Sequence, residues 1–409
     1  MLRFLHAADV HLDSPLSGLD SYEGAPVDAI RGATRKALAN LTRLAIDQHV
    51  AFVILAGDNY DGDWKDYNTG LFFIQQMKEL EKVEIPVVLI RGNHDAESRI
   101  TSKLTLPANV TELPRDQAGT VLFDRHHVAI HGQGFAKQAE LRDLSVNYPS
   151  PKSGYFNVGV LHTSLTGREG HANYAPCTIE GLLPRGYDYW ALGHIHTRES
   201  VNGDKHPRIE FPGNIQGRHI RETGAKGCLL VEVDANGRAS TEFHALDVFR
   251  WERVTVDAQE HEGIADVKLA VDDAIAEARV LAEGRPLAVR VEVTVRPEIH
   301  AEISKNPVEF RLDLAASSGR DVWIEKVKLH RAVVAESKSF TLDDDARAEL
   351  IEALTSLQND LEGSPFAKGD LGKLRKLLPA EIQKNFDSQQ AEVWERAAAL
   401  LQGAGGPMP

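Results

Sequence analysis

The sequence predicts an α/β protein: a two-sheet sandwich with flanking helices over residues 1–247, a small α+β domain over 250–335, and a helical region over 341–402. Three observations carry this reading. Short apolar runs alternate with amphipathic helical stretches up to about residue 135, strand-like segments joined by Gly- and Pro-rich turns follow, and helical periodicity takes over from Leu342. A chain of 409 residues also exceeds what one hydrophobic core usually organises.

The first expected strands are 2–8, 52–56, 87–90 and 127–131. Between the first two, residues 31–49 place Ala33, Ala37, Leu38, Leu41, Leu44 and Ala45 on one helical face. Residues 70–80 do the same with Phe72, Phe73, Met77 and Leu80. This alternation predicts a sheet covered by helices. Further strands are expected at 156–162, 187–192, 207–211, 227–233 and 240–246. In the second domain, 251–256, 286–296, 308–314 and 322–330 read as strands, and 263–283 as a helix. Helices at 343–361, 371–378 and 379–401 follow, with 403–409 expected to be a disordered tail.

With 42% hydrophobic and 26% charged residues, the composition is that of a soluble globular protein. The longest apolar runs, 51–56 and 85–90, suit buried strands and are far too short to span a membrane. No basic segment precedes a long apolar stretch at the start, so no secretory signal is expected. Cys177 and Cys228 form no C-x-x-C pair, so neither a disulfide framework nor a thiolate zinc site is indicated, and a reducing cytoplasm fits best. A net charge of −14 weighs against nucleic acid as a partner, because duplex binders are usually basic. It also simply keeps a protein soluble, and that is the plainer reading.

The chemistry lies in five short pieces, each after an expected strand: Asp9-Val-His11, Gly57-Asp-Asn-Tyr-Asp61, Gly92-Asn-His-Asp95, Leu161-His-Thr163 and Gly193-His-Ile-His196. Ligands bind at the carboxyl ends of strands in α/β sheets. In D-x-H and H-x-H, an extended backbone would put both side chains on one face. Glycine ahead of Asp58, Asn93 and His194 lets the backbone turn sharply or approach an ion closely. Carboxylate, amide oxygen and imidazole without thiolate suit Mn²⁺, Fe²⁺ or Zn²⁺. Six or more such donors are too many for one tetrahedral ion, whereas two ions roughly 3.5–4 Å apart sharing a carboxylate would use them all. A lone D-x-H means little, and Gly-Asp is commonly a turn. G-N-H-D and G-H-x-H at strand ends are much harder to explain structurally.

In this order the series resembles the calcineurin-type metallophosphoesterase superfamily, whose fold is an αββα sandwich. The opening Ala8-Asp-Val-His-Leu12 is similar to its DNA-repair exonuclease branch, the SbcD-type nuclease subunits. Residues 9–16 and 211–219 are similar to the YhaO-type proteins of bacteria. The resemblance implies that Asp9, His11, Asp58 and His196 hold one ion, and that Asp58, Asn93, His162 and His194 hold a second. It implies Mn²⁺ as the usual ion, attack on phosphorus by an activated water, and His94 as proton donor to the leaving alkoxide. Asp95 is expected to orient His94, much as the acid of a catalytic triad orients its histidine. Asp61 and Asp13 are candidates for holding ligands in place.

For substrate contact the candidates are Arg168, Arg185, Arg218, His219 and Arg221, since a guanidinium can grip phosphate with two hydrogen bonds. His6, His126, His127 and His131 read better as core or surface histidines, and His171 stays open. The family attaches a small capping domain that tracks DNA, and 250–335 has a matching layout. Arg285, Arg290, Arg296, Lys326 and Lys328 there are interleaved with acids and form no clean basic stripe. The resemblance further implies DNA as substrate, an SMC-like or AAA-type ATPase subunit in trans, and room for a homodimer; no G-x-x-x-x-G-K-[ST] is present. Two alternatives stay open: a phosphodiesterase or phosphatase acting on a small or nucleotide substrate, and a non-catalytic subunit of a repair complex.

Overall fold

The computed structural model describes residues 2–14, 26–61, 67–96, 104–167 and 172–332. The expected C-terminal helices and tail, Arg168 and His171 lie outside them.

In chain order the strands of the first domain are β1 (Leu2–Ala7), β2 (Phe52–Ala56), β3 (Val87–Ile90), β4 (Val110–Glu112), β5 (Gly119–Phe123) and β6 (Val128–Gly132). They continue with β7 (Phe156–His162), β8 (Tyr189–Gly193), β9 (Glu199–Ser200), β10 (Arg208–Phe211), β11 (Gly227–Val233) and β12 (Ala239–Ala245). Its helices are α1 (Val27–Arg31), α2 (Ala33–Asp47), α3 (Tyr67–Glu81) and α4 (Ile179–Leu182). One sheet runs β12-β11-β1-β2-β3-β4, the other β5-β6-β7-β8-β10-β9. β1 to β4 pair in parallel, as do β6 to β8, so their carboxyl ends open together within each sheet.

Period-two patterning assigns the two faces of the first sheet. Leu5, Val53, Leu55 and Val87 pack on Leu38, Leu41, Phe73 and Met77 of α2 and α3. Phe4, Phe52, Ile54 and Val88 face Val128, Ile130, Val158 and Tyr189 of the second sheet. Phe4 stacks on Phe52 with ring centroids 4.7 Å apart. Burying each of these side chains contributes about 1.5–3 kcal/mol, so the sandwich is a rigid mount for what its strand ends carry. The outer face of the second sheet is covered by α4, short 3-10 turns and loops around Phe135, Tyr148 and Trp190.

The second domain holds β13 (Arg250–Ala258), α5 (Ile264–Leu281), β14 (Leu287–Val295), α6 (Pro297–Ile303), α7 (Pro307–Ser318) and β15 (Val322–Arg331). Its three strands are all parallel, in the order β13-β14-β15. Val254, Val289, Val291 and Ile324 pack against Val271, Ile275, Phe310 and Leu314.

One expectation fails here: residues 308–314 form helix α7, not a strand. Val-Glu-Phe-Arg-Leu-Asp-Leu alternates perfectly, yet only Phe310 and Leu314 of its apolar residues are buried, one helical turn apart. The deciding signal is local. Asn306 caps the helix by accepting the Glu309 amide, and Pro307 sits at its first turn, where a missing N–H costs nothing. Among the described residues, no helix is long and apolar enough to cross a membrane.

Candidate metal centre

Asp9 and His11 follow β1, Asp58 follows β2, Asn93 and His94 follow β3, His162 ends β7, and His194 and His196 follow β8. The structure brings all eight together. His11 Nε2 lies 3.1 Å from His196 Nε2 and 3.8 Å from Asp58 Oδ2, and His196 Nε2 is 3.9 Å from Asp9 Oδ1. On the other side of Asp58, His162 Nε2 lies 3.4 Å from Asp58 Oδ2 and 3.1 Å from Asn93 Oδ1. His194 Nδ1 is 3.2 Å from the same amide oxygen. Two donor groups thus share the Asp58 carboxylate.

The route to this convergence differs from the extended-strand expectation. Asp9, His11, Asp58 and His194 all have left-handed backbone, with φ of 51°, 43°, 50° and 99°. Such conformations cost non-glycine residues free energy and persist where the surroundings dictate them. Here the loops hold one another: the Asp9 and His11 amides donate to the Gly57 and Asp58 carbonyls, and the His194 amide donates to the Asp9 carboxylate. Close approach also needs glycine. A Cβ on Gly92 would lie 2.2 Å from Asp58 Oδ1, and one on Gly193 would lie 2.1 Å from the Ala56 carbonyl oxygen.

The donor set fits cations. His162 Nδ1 contacts the Ala56 carbonyl at 2.9 Å and His194 Nε2 contacts the Ala172 carbonyl at 2.8 Å. A carbonyl only accepts, so those nitrogens carry the hydrogens. His196 Nδ1 likewise donates to Glu222 Oε1 at 2.7 Å. In each neutral ring the inward nitrogen is therefore a lone pair, facing other lone pairs on Asp9, Asp58 and Asn93. Only a cation, or a proton in its place, satisfies such a cluster. The electrostatics agree. Burial opposes charge on His162, yet the Asp58 carboxylate beside it raises its pKa to about 9. Burial raises Asp9 to about 6 and lowers His11 to about 3.

His94 stands apart. Its side chain is 37% exposed, and Nδ1 lies 2.7 Å from Asp61 Oδ1. Burial disfavours its charged form, but Asp61 and Asp58 outweigh that and raise its pKa. The expected Asp95–His94 pair does not form. Asp95 is buried and accepts from the amides of Gly92, Asn59 and Tyr60 and from the Asn59 side chain. Asp95 ties the second and third loops together, and the carboxylate on His94 is Asp61.

Arg218 is also not free to meet a substrate as expected. Its guanidinium donates to Glu222 Oε1 at 3.0 Å and Asp61 Oδ2 at 3.3 Å, with a side chain only 12% exposed. His219 and Arg221 are exposed on the same segment. Arg185 precedes β8, at the opposite end of the strand from His194. Asp13 binds Arg35 and Thr69 and so anchors the first loop to α2 and α3. Glu222 was missed in the sequence. It receives His196, Arg218 and Asn214, and the only hint was an acid four residues after Arg218.

Two family models match: calcineurin-like phosphoesterase over residues 2–198, and the middle domain of the metallophosphoesterase YhaO over 251–332. The chain is 34% identical over 332 residues to the uncharacterized metallophosphoesterase YhaO of Bacillus subtilis (strain 168), covering 79% of this chain and 80% of that one. The chain is a calcineurin-like metallophosphoesterase of the YhaO type. This phosphoesterase is also similar to the DNA double-strand break repair protein Mre11 of Methanopyrus kandleri, 24% identical over 62% of this chain and 58% of that one. To Mre11 of Saccharolobus solfataricus it is 27% identical, over 52% and 54%. It spans little more than half the length of these two relatives. Membership makes the phosphoesterase a hydrolase that works with divalent metal ions; Asp9, His11, Asp58, His94, His162, His194 and His196 fall in clusters able to hold them, and the Asn93 amide oxygen lies beside His162 and His194.

Proposed function

We propose that the phosphoesterase hydrolyses phosphodiester bonds in DNA, with two divalent cations, Mn²⁺ in the first instance, held by the two donor groups that share Asp58. The observation that carries the reading is the division of labour at the strand ends: seven donors converge around Asp58, and one half-exposed histidine, His94, sits beside them with Nδ1 on the Asp61 carboxylate. Asp9, His11, Asp58 and His196 would hold one ion, and Asp58, Asn93, His162 and His194 the other. Bound there, two cations would lower the pKa of a water and neutralise charge on phosphate oxygens. The chain's own residues do the rest. With Nδ1 committed to Asp61, His94 has Nε2 left to give a proton to the alkoxide as the P–O bond breaks. Asp61 favours the charged form of that imidazole and aims it. His219 and Arg221 are the exposed groups proposed to meet a neighbouring phosphate.

DNA as substrate, and an SMC-like or AAA-type ATPase as partner in trans, are supported by the motif series and by the Mre11 relatives. A second reading, hydrolysis of a small or nucleotide phosphodiester, is favoured by the cap. There Arg290 pairs with Glu325, Lys328 with Glu292 and Arg279 with Asp321, so these three cations are matched by acids. The test offers labelled duplex and single-stranded DNA with and without Mn²⁺, beside a small chromogenic phosphodiester. Metal-dependent cleavage of DNA is expected; turnover of the small ester only would sink the nuclease reading and leave the second.

A further inference from the structure

One segment, residues 214–226, touches the metal centre on one side and the cap on the other. On the inner side, Glu222 accepts from His196 Nδ1 at 2.7 Å and from the Arg218 amide at 2.7 Å, and Arg218 reaches Asp61. Lys226, at the segment's end, donates from Nζ to the His196 carbonyl at 3.0 Å. On the outer side, Gln216 accepts the Val248 amide at 2.9 Å and donates to the Phe249 carbonyl at 2.6 Å. The indole N–H of Trp251 donates to the Gly217 carbonyl at 3.2 Å, and the Gly224 amide donates to the Trp251 carbonyl at 3.0 Å.

Apolar packing reinforces these bonds. Ile220 is buried in one cluster with Trp251, Ala288 and Trp323, the last two on the cap's β14 and β15. Trp251 meets Trp323 edge to face at 5.9 Å. The segment is tight at Gly217: a Cβ there would lie 2.7 Å from the Glu222 carbonyl oxygen and 3.2 Å from the Trp251 ring.

We propose that residues 214–226 form a strap through which the cap sets the metal centre, with Glu222, Gln216 and Trp251 as positioning residues for His196. The physical reason is the tautomer. Glu222 fixes which nitrogen of His196 carries the hydrogen and where the ring points, and such partners of a ligand are worth roughly 10–100-fold in metal affinity. Glu222 is itself held by a backbone pinned at Gln216 by Val248 and Phe249, just before the cap, and at Gly217 by Trp251 of the cap. Freeing the cap end therefore loosens His196 while leaving His162 and His194, which are fixed by the Ala56 and Ala172 carbonyls, in place. The strap acts on one ion of the two.

The inference rests on reading His196 as a ligand, and the test separates the two. Mn²⁺ is titrated calorimetrically into the metal-stripped full chain, and the visible spectrum of the Co²⁺ form is recorded. Glu222→Gln is expected to weaken one of two ions about 10–100-fold, and Trp251→Phe, which keeps an aromatic ring but loses the indole N–H and part of the packing, by a smaller factor with altered Co²⁺ bands. Gln216→Met, nearly isosteric, should match Trp251→Phe and stands in for it if that variant misfolds. Phe310→Leu, which loosens the cap's own core, should lower the melting temperature and leave both ions and the spectrum unchanged. If His196→Ala loses one ion while the strap variants bind like wild type, the strap is wrong and the site stands. If His196→Ala loses none, both fall.

Discussion

In the cap, Arg290 grips Glu325 with hydrogen bonds of 2.8 and 2.6 Å, and Lys328 meets Glu292 at 3.0 Å. Between residues 250 and 332, one non-glycine residue, Glu283, has left-handed backbone among those described. At the strand ends of the first domain the pattern inverts. The Nε2 atoms of His11 and His196 face each other at 3.1 Å, and four of the seven candidate ligands sit in left-handed conformations. Outside α7, whose alternating pattern is overridden by its start, the cap is locally consistent: strand patterning, these ion pairs and the backbone all agree with the folded state. The metal centre is locally inconsistent: its left-handed backbone is held by neighbouring loops, and its inward lone pairs need a cation, or a proton in its place.

The largest expected effect breaks the comparison at His94. His94→Ala is expected to lower kcat by about 10²–10⁴-fold while two metal ions stay bound, as counted by elemental analysis. Retained turnover would remove His94 from the chemistry. Asp61→Asn sharpens the point. A proton donor must be charged, so the rate falls as pH rises through its pKa. Removing the carboxylate that raises that pKa moves this limb of the profile to lower pH. Asp95→Asn should leave the limb where it is, because Asp95 binds backbone amides and not His94.

How much of this could be read from the sequence follows the same division. The strand ends carried their own labels, because Asp, Asn and His beside glycine at the close of apolar runs have few structural uses. Their partners did not. Nothing in Gly92-Asn-His-Asp95 says that the last carboxylate is taken by amides from another loop, or that Asp61 takes its place on His94. Glu222 was invisible for the same reason, since its meaning lies in His196, a contact made only by folding. In the cap, the valine strands declared themselves by alternation, while α7 alternated equally well and was decided by Asn306 and Pro307 at its start. Periodicity reports a face to bury, and capping residues report which backbone can start there.

A middling effect tests the cap side. Glu325 is buried and Arg290 is its partner, so Arg290→Ala leaves a carboxylate stranded out of water. A loss of about 2–4 kcal/mol in urea unfolding is expected, somewhat below the range for fully buried pairs because Arg290 is partly exposed. Metal affinity should be unaltered. Arg290 and Glu325 both exchanged for well-packed apolar residues should recover much of the loss. If breaking the pair costs nothing, the cap's charges are ornament on its surface and not a matched set.

The smallest effect comes from a histidine that obeys the cap's rule inside the metal domain. His6 lies on β1, three residues before Asp9, and both its ring nitrogens are used: Nε2 donates to the Leu192 carbonyl at 3.0 Å, and Nδ1 accepts from the Tyr189 hydroxyl at 2.9 Å. No lone pair is left for an ion, which is what separates it from His162 and His194. Burial pushes its pKa down to about 3. The folded chain therefore keeps His6 neutral at pH values where the unfolded chain protonates it. Its contribution is complete above about pH 6.5 and is lost as pH falls toward 3. Between pH 7.5 and 5 that amounts to about 2 kcal/mol, at roughly 1.4 kcal/mol per pK unit. His6→Gln should be less stable than wild type at neutral pH but lose less on acidification, so the two unfolding curves converge by pH 5. Parallel curves would mean that His6 is protonated in the fold, and that the line between structural and ligand histidines is drawn in the wrong place.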